Sequence, residues 1–156
     1  MRLTTRMLPE LDGQDVFDIA AWHLLRQHSQ AIAPGTSKCM YRAPDGKRCA
    51  VGWLMPDDVY SRSLEFFSVR DLASMMLDST RHEYHAFAAF LIRHMVLLSD
   101  LQHMHDSNPP VQWPARLRVI AHQNDLNARV IDHGLAECDP ARLGSVDDIA
   151  LGELAW

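Results

Sequence analysis

The chain has 156 residues, which suits one domain and permits a real core. Apolar residues make up 47% and charged residues 22%, which excludes a disordered chain. The net charge of −5 argues against a nucleic-acid binder, and the longest apolar run, residues 86–92, is too short to span a membrane. Three cysteines, with no recognisable secretory signal, favour a reducing compartment, so we expect a cytoplasmic protein.

The first part of the chain predicts an arm followed by a helix. Residues 1–11 are expected to form a loosely held N-terminal arm of a single domain that comprises residues 1–156. Asp12 and Asp15 then form a pattern that is typical of a helix start. Apolar residues recur at helical spacing after it, which predicts a helix over roughly residues 13–30.

A turn signal interrupts the helical patterns. Pro44, Asp45 and Gly46 follow one another, and this order is typical of a hairpin closed by a type I turn with a glycine bulge. The register places Arg42 opposite Arg48, and it places Cys39 opposite Val51. The sequence therefore predicts a two-stranded β-hairpin docked on a helical bundle, which is a mainly α fold of the α+β type.

Helical patterns return after the hairpin. Ser68 is expected to cap one helix. Thr80 to Glu83 resemble a capping box, and we expect it to begin one long, central helix over residues 81–105. The next helix is predicted to start at Trp113, and it either breaks at Asn124 or continues to Gly134. Patterns that begin at Asp139 and Ser145 predict short terminal helices.

Three segments of the chain resemble a group of small, uncharacterised proteins found in bacteriophages and in bacterial genomes that carry phage-like elements. The segments are residues 14–27, 38–60 and 97–121, roughly 40% of the chain, and CxYRxPDGxxCAVG in the middle segment is the most specific. The group often has cysteine where this chain has Trp53, which puts in doubt a thiol cluster of Cys49 with that position. The resemblance implies an accessory protein that acts on a host system.

Basic residues gather around the predicted turn of this acidic chain. They are Lys38, Arg42, Lys47 and Arg48, and Trp53 follows them. Two opposed arginines repel each other unless an anion lies between them. Two alternatives follow. In the first, an acidic side chain of the same protein supplies the anion or both arginine tips reach into solvent. In the second, the anion is a group on a partner. The leading hypothesis is a non-enzymatic protein that binds an acidic partner surface through these five residues, without a cofactor and with an undefined oligomeric state.

Two other hypotheses depend on thiols and histidine. One is a hydrolase or transferase in which Cys49 is the nucleophile, His105 the base and Asp106 the orienting group. The other is a small structural zinc protein with Cys39, Cys49 and His105 as ligands, although a spacing of ten residues between the cysteines matches no familiar zinc module. His105 is also expected to face the core, where a buried histidine would bond to the backbone or to a tyrosine.

Overall fold

The computed structural model describes residues 2–138, and their side chains up to residue 135. The helices in this part of the chain are α1 (Gly13–Gln27), α2 (Ala50–Leu54), α3 (Val69–Leu77), α4 (His82–Arg93), α5 (Met95–Ser107), α6 (Trp113–Gln123) and α7 (Arg129–Cys138). Short 3-10 turns lie at Leu8–Glu10, Arg62–Leu64 and Pro110–Gln112. The mainly helical prediction is confirmed, while the helices predicted at Asp139 and Ser145 lie outside the described residues.

Helix α1 lies at the centre of the packing. Asp12 caps it as predicted, because the Asp12 carboxylate accepts from the Asp15 amide at 2.9 Å and the Asp15 carboxylate accepts from the Asp12 amide at 3.0 Å. Its apolar face, which includes Phe17 and Leu24, is fully buried. Helices α2 and α7 pack against α1, α3 packs on α4, and α5 packs on α6. The buried side chains form one continuous cluster.

The single long helix predicted over residues 81–105 is two helices. His94 leaves helical geometry, with φ −110° and ψ 20°, and separates α4 from α5. Its ring contacts the Leu11 carbonyl at 3.1 Å, and Arg93 donates to the Leu8 carbonyl at 2.7 Å. The break thus lets two polar side chains hold the N-terminal arm, where Leu8 is buried. The predicted capping box is also wrong, because Arg81 occupies the cap position without a side-chain hydrogen bond.

The predicted β-hairpin is not present as a ribbon in residues 2–138. Two isolated antiparallel bridges occur there instead, Ile32 with Cys39 and Arg42 with Arg48. The second confirms the predicted arginine pair, and the turn closes as expected, with a bond of 3.1 Å from the Gly46 amide to the Ala43 carbonyl. The prediction that Cys39 lies opposite Val51 in a hairpin is wrong, since Val51 lies in α2.

Local contacts explain why no ribbon forms. Cys49 caps α2, because its sulfur accepts from the Gly52 amide at 3.4 Å, so the chain coils one residue after the Arg48 bridge. A Cβ atom at Gly52 would lie 1.9 Å from the Tyr41 carbonyl oxygen, so this close approach requires glycine. The amides of Tyr41 and Arg42 donate to the carboxylate of Glu65, at 2.7 and 3.1 Å, rather than to a strand.

Candidate functional site

Two polar regions flank residues 38–54. The first, which we call the carboxylate cluster, consists of Cys39, Gln102, His105 and Asp106. The second, which we call the arginine pocket, is a cavity of about 220 Å³ lined by Arg2, Leu3, Ile19, His23, Arg48, Trp53, Met55 and Asp57. Cys39 lies near His105 and Asp106 of α5, whereas the backbone of Arg48 bonds to Gln27 of α1.

His105 is the buried member of the carboxylate cluster. It is 0% exposed, as predicted, and its Nε2 atom accepts from the Ala31 amide at 3.2 Å. The ring proton therefore lies on Nδ1, which donates to Asp106 Oδ1 at 2.7 Å. The predicted burial is confirmed, but the partners are a backbone amide and a carboxylate rather than a carbonyl or a tyrosine. Both ring nitrogens are occupied.

Asp106 is the common acceptor of this cluster. Gln102 donates to the same Oδ1 atom at 2.9 Å, and the Cys39 sulfur lies within 4.8 Å of a carboxylate oxygen. Burial raises the pKa of Asp106, but the hydrogen bonds from His105 and Gln102 outweigh it, so the net pKa lies below the ordinary value. Burial, followed by the charge of Asp106, raises the pKa of Cys39 to about 12, which keeps that thiol protonated at neutral pH.

The arrangement does not favour the thiol-enzyme hypothesis. Cys49 is fully buried, and burial raises the pKa of its thiol, whereas a nucleophilic thiol needs a lowered one. The cysteine that lies within 4.8 Å of His105 and Asp106 is Cys39. A general base also needs an available lone pair, but His105 Nε2 already accepts from Ala31.

The same contacts bear on the zinc hypothesis. Cys39, His105 and Asp106 offer three ligand atoms within 4.8 Å of one another, and no fourth ligand joins them among the described residues. Cys49, the second thiol of the predicted set, caps α2 instead. A metal on His105 Nδ1 would move the ring proton to Nε2, where it would face the Ala31 amide hydrogen. The donor set therefore fits a closed hydrogen-bonded network better than a structural zinc site.

Arg42 is largely satisfied within the protein. Its side chain is 15% exposed, its Nη1 atom pairs with Asp57 Oδ1 at 2.8 Å, and its Nη2 atom donates to the Met55 carbonyl at 2.7 Å. The guanidinium also lies over the ring of Tyr60, 4.6 Å from its centroid. An acidic side chain of the same protein therefore neutralises this arginine, which was one of the two alternatives from the sequence.

Arg48 is held differently from Arg42. Gln27 of α1 clamps its backbone with two hydrogen bonds of 2.9 Å, and its guanidinium lies 5.1 Å from the ring centroid of Trp53. Trp53 in turn stacks on His23, with centroids 4.0 Å apart and planes 6° from parallel. Burial, then the nearby charge of Arg42, lowers the pKa of Arg48. No carboxylate within residues 2–135 lies at ion-pair distance from Arg48.

The two lysines of the predicted binding set lie apart from this pocket. Lys47 pairs with Asp45 at 3.2 Å beside the turn. Lys38 lies over the ring of Phe66, 5.7 Å from its centroid, at the edge of a separate open groove of about 920 Å³. That groove has mixed charge, since Arg70 and Asp71 both line it, so it does not select an acidic ligand.

Sequence reasoning missed three contributors to the arginine pocket. Arg2 lies in the predicted arm, and it pairs with Asp57 Oδ2 at 3.3 Å. His23 lies on α1, where the helical pattern gave no sign that its ring would meet Trp53. The sequence shows Asp57 only as an acidic residue that follows Pro56, without an indication that it pairs with an arginine. The one sequence feature that could have indicated the role of Asp57 was the need for an anion near Arg42 and Arg48.

Comparison of the chain with protein-family models, curated proteins and solved structures finds no match. Among residues 2–138, no helix has both the length and the apolar character that a membrane crossing requires. The two polar regions therefore have to be interpreted from their own chemistry.

Proposed function

We propose that this is a non-enzymatic accessory protein of phage-like origin, which binds an acidic surface of a protein partner in the cytoplasm and thereby acts on a host system. The contact residues are Arg48 and Trp53, with Arg2 beside them; Lys47 pairs with Asp45 and is left out of the contact. Arg42 has a supporting role, because its side chain is mostly occupied by Asp57 and the Met55 carbonyl. Lys38 belongs to the separate groove and is left out of the contact.

One observation carries the proposal. The guanidinium groups of Arg2 and Arg42 share the carboxylate of Asp57, and the nearby guanidinium of Arg48 has no carboxylate at ion-pair distance among the described side chains. The charge of Arg48 is therefore not balanced by an ion pair at this surface, although the chain as a whole has a net charge of −5. Such a local field attracts and orients an acidic partner.

Affinity capture from a bacterial lysate, followed by quantitative mass spectrometry, tests the proposal. Arg48→Glu reverses the charge that has no internal carboxylate, and its backbone contacts to Gln27 do not depend on the side chain. The matched control is Arg70→Glu, which makes the same charge change at an exposed position of α3. We expect at least one acidic protein to be retained by the natural protein and by Arg70→Glu but lost with Arg48→Glu. An identical set retained by all three proteins would contradict the proposal.

A further inference from the structure

We propose that the arginine pocket is a binding site for one oxyanion, and that the group it receives is a single carboxylate side chain of the acidic partner. This inference rests on the proposed function and narrows it from a charged surface to one cavity with a defined ligand. The alternative source of the same chemistry is a free inorganic oxyanion such as phosphate.

The cavity has the size and lining of a site for a side chain rather than for a large ligand. Its volume of about 220 Å³ exceeds the space of a single water several-fold. Apolar side chains form part of the wall, namely Leu3, Ile19 and Met55, and they suit the methylene stem of a glutamate or aspartate. Polar groups at a few positions within an apolar wall are what a selective small site requires.

Among the described side chains, the charges in and beside the cavity leave Arg48 without a counter-charge. Asp57 uses Oδ1 for Arg42 at 2.8 Å and Oδ2 for Arg2 at 3.3 Å, so each oxygen already has a cation. Arg48 forms an ion pair with neither oxygen of Asp57, and no other carboxylate of the described side chains lies within ion-pair distance of it. A partner carboxylate between Arg48 and Arg2 would satisfy Arg48 while Asp57 stays with Arg42. Guanidinium is well suited to this task, because its donors match both oxygens of a carboxylate.

Aromatic stacking holds one of the donors, the Arg48 guanidinium, in place before any ligand arrives. The guanidinium of Arg48 lies over Trp53, and the other contact of that indole is the parallel ring of His23. The Trp53 Nε1 atom is buried and has no hydrogen-bond partner among the described residues, which is an unsatisfied donor in a residue that lines the cavity. A fixed guanidinium loses little freedom on binding, so more of the interaction free energy appears as affinity.

The test uses the full chain and two probes, a blocked hexaglutamate peptide and inorganic phosphate. Binding is measured by calorimetry, and the site is located by the NMR signal of the Trp53 indole N–H, assigned with Trp53→Phe. We expect the peptide to shift this signal, and we expect Arg48→Gln and Arg2→Gln each to weaken peptide binding at least about tenfold. The matched controls are Arg70→Gln and Arg6→Gln, both at exposed positions, and they should change affinity less than about twofold.

Other outcomes overturn all or part of the inference. If Arg2→Gln behaves like Arg6→Gln, or if neither probe moves the Trp53 signal at about 10 mM, the cavity is not the site. If phosphate moves the signal and binds at least about tenfold more tightly than the peptide, the oxyanion site holds but the partner carboxylate is the wrong source. Loss of lysate capture with Arg48→Glu, combined with an unmoved Trp53 signal, would reject this inference while sparing the proposed function.

Discussion

The carboxylate cluster and the arginine pocket flank the same stretch of chain, residues 38–54, but they differ in whether their polar groups have partners. In the cluster, Asp106 accepts from His105 and Gln102, and both His105 nitrogens have partners. In the pocket, the Trp53 indole N–H has no partner among the described residues, and the Arg48 guanidinium has no carboxylate there.

The difference separates a structural role from a binding role. A hydrogen-bonded network around a buried histidine whose two nitrogens both have partners stabilises one conformation. A rigid cation without a counter-charge destabilises the free protein slightly, and a ligand that supplies the charge removes that penalty. The presence of histidine, cysteine and aspartate in the carboxylate cluster is therefore weaker support for function than the charge imbalance in the pocket.

Gly52 packs α2 directly against the backbone of Tyr41, and its replacement should have the largest effect. In Gly52→Ala the new methyl group would collide with the Tyr41 carbonyl, so α2 and the turn have to separate. We expect a loss of about 4 kcal/mol or more in the free energy of unfolding, measured by urea denaturation. The control is Gly35→Ala, where φ is +72° and no atom lies within 4 Å, so about 1 kcal/mol is expected. Equal losses would show that the close approach at Gly52 is unimportant.

His105→Ala tests whether the carboxylate cluster is structural. It removes a fully buried ring, leaves the Ala31 amide without its acceptor and takes one of the hydrogen bonds of the Asp106 carboxylate, so we expect a loss of about 3 kcal/mol in the free energy of unfolding. His103→Ala, at an exposed position on the same helix, should change it by less than about 0.5 kcal/mol. Similar losses of unfolding free energy for His105→Ala and His103→Ala would show that the carboxylate cluster does not have a structural role.

The two bridged arginines should differ in the same measurement. Arg42→Gln loses the ion pair with Asp57 and the bond to the Met55 carbonyl in a mostly buried position, so we expect a loss of about 2 kcal/mol in the free energy of unfolding. Arg48→Gln loses a repelled guanidinium and keeps the backbone contacts to Gln27, so we expect a change of less than about 0.5 kcal/mol. A greater loss for Arg48→Gln would show that this side chain is structural.

The smallest expected effect is a pH dependence that originates in the pocket. Burial, then the charges of Arg48 and Arg26, lowers the pKa of His23 from 6.5 to about 4. As pH falls below 6.5, His23 becomes protonated in the unfolded chain but stays neutral in the folded protein. The free energy of unfolding therefore decreases until pH 4 is reached. Between pH 7 and pH 5 we expect the natural protein to lose about 1 kcal/mol more than His23→Gln, with allowance for solvent screening.

Urea midpoints of the two proteins at both pH values check this prediction. His94 also has a lowered pKa, but it is present in both proteins and cancels in the comparison. In Arg48→Gln the pKa of His23, followed by NMR, should rise, because a nearby positive charge is removed. Parallel pH profiles for the natural protein and His23→Gln would contradict the burial of a neutral imidazole.

Local patterns in the sequence predicted the features that neighbouring residues decide. The capping box of α1 and the bend that brings Arg42 opposite Arg48 depend on a few adjacent residues, and both are confirmed. The break at His94 depends on its contact with Leu11, which is 83 residues away, so helical periodicity could not reveal it. The positions of Arg2 and His23 in the candidate site also depend on residues distant in sequence. Arg2 pairs with Asp57, and His23 stacks on Trp53.

Glu65 takes the place that a neighbouring strand would have next to Tyr41 and Arg42. Its carboxylate is 7% exposed and receives both of their amides as well as the Tyr60 hydroxyl. A synthetic peptide of residues 38–54 would lack this acceptor, and it would lose its shape in water. The bend is therefore not a portable recognition loop: a graft into another scaffold must carry the Glu65 loop with it.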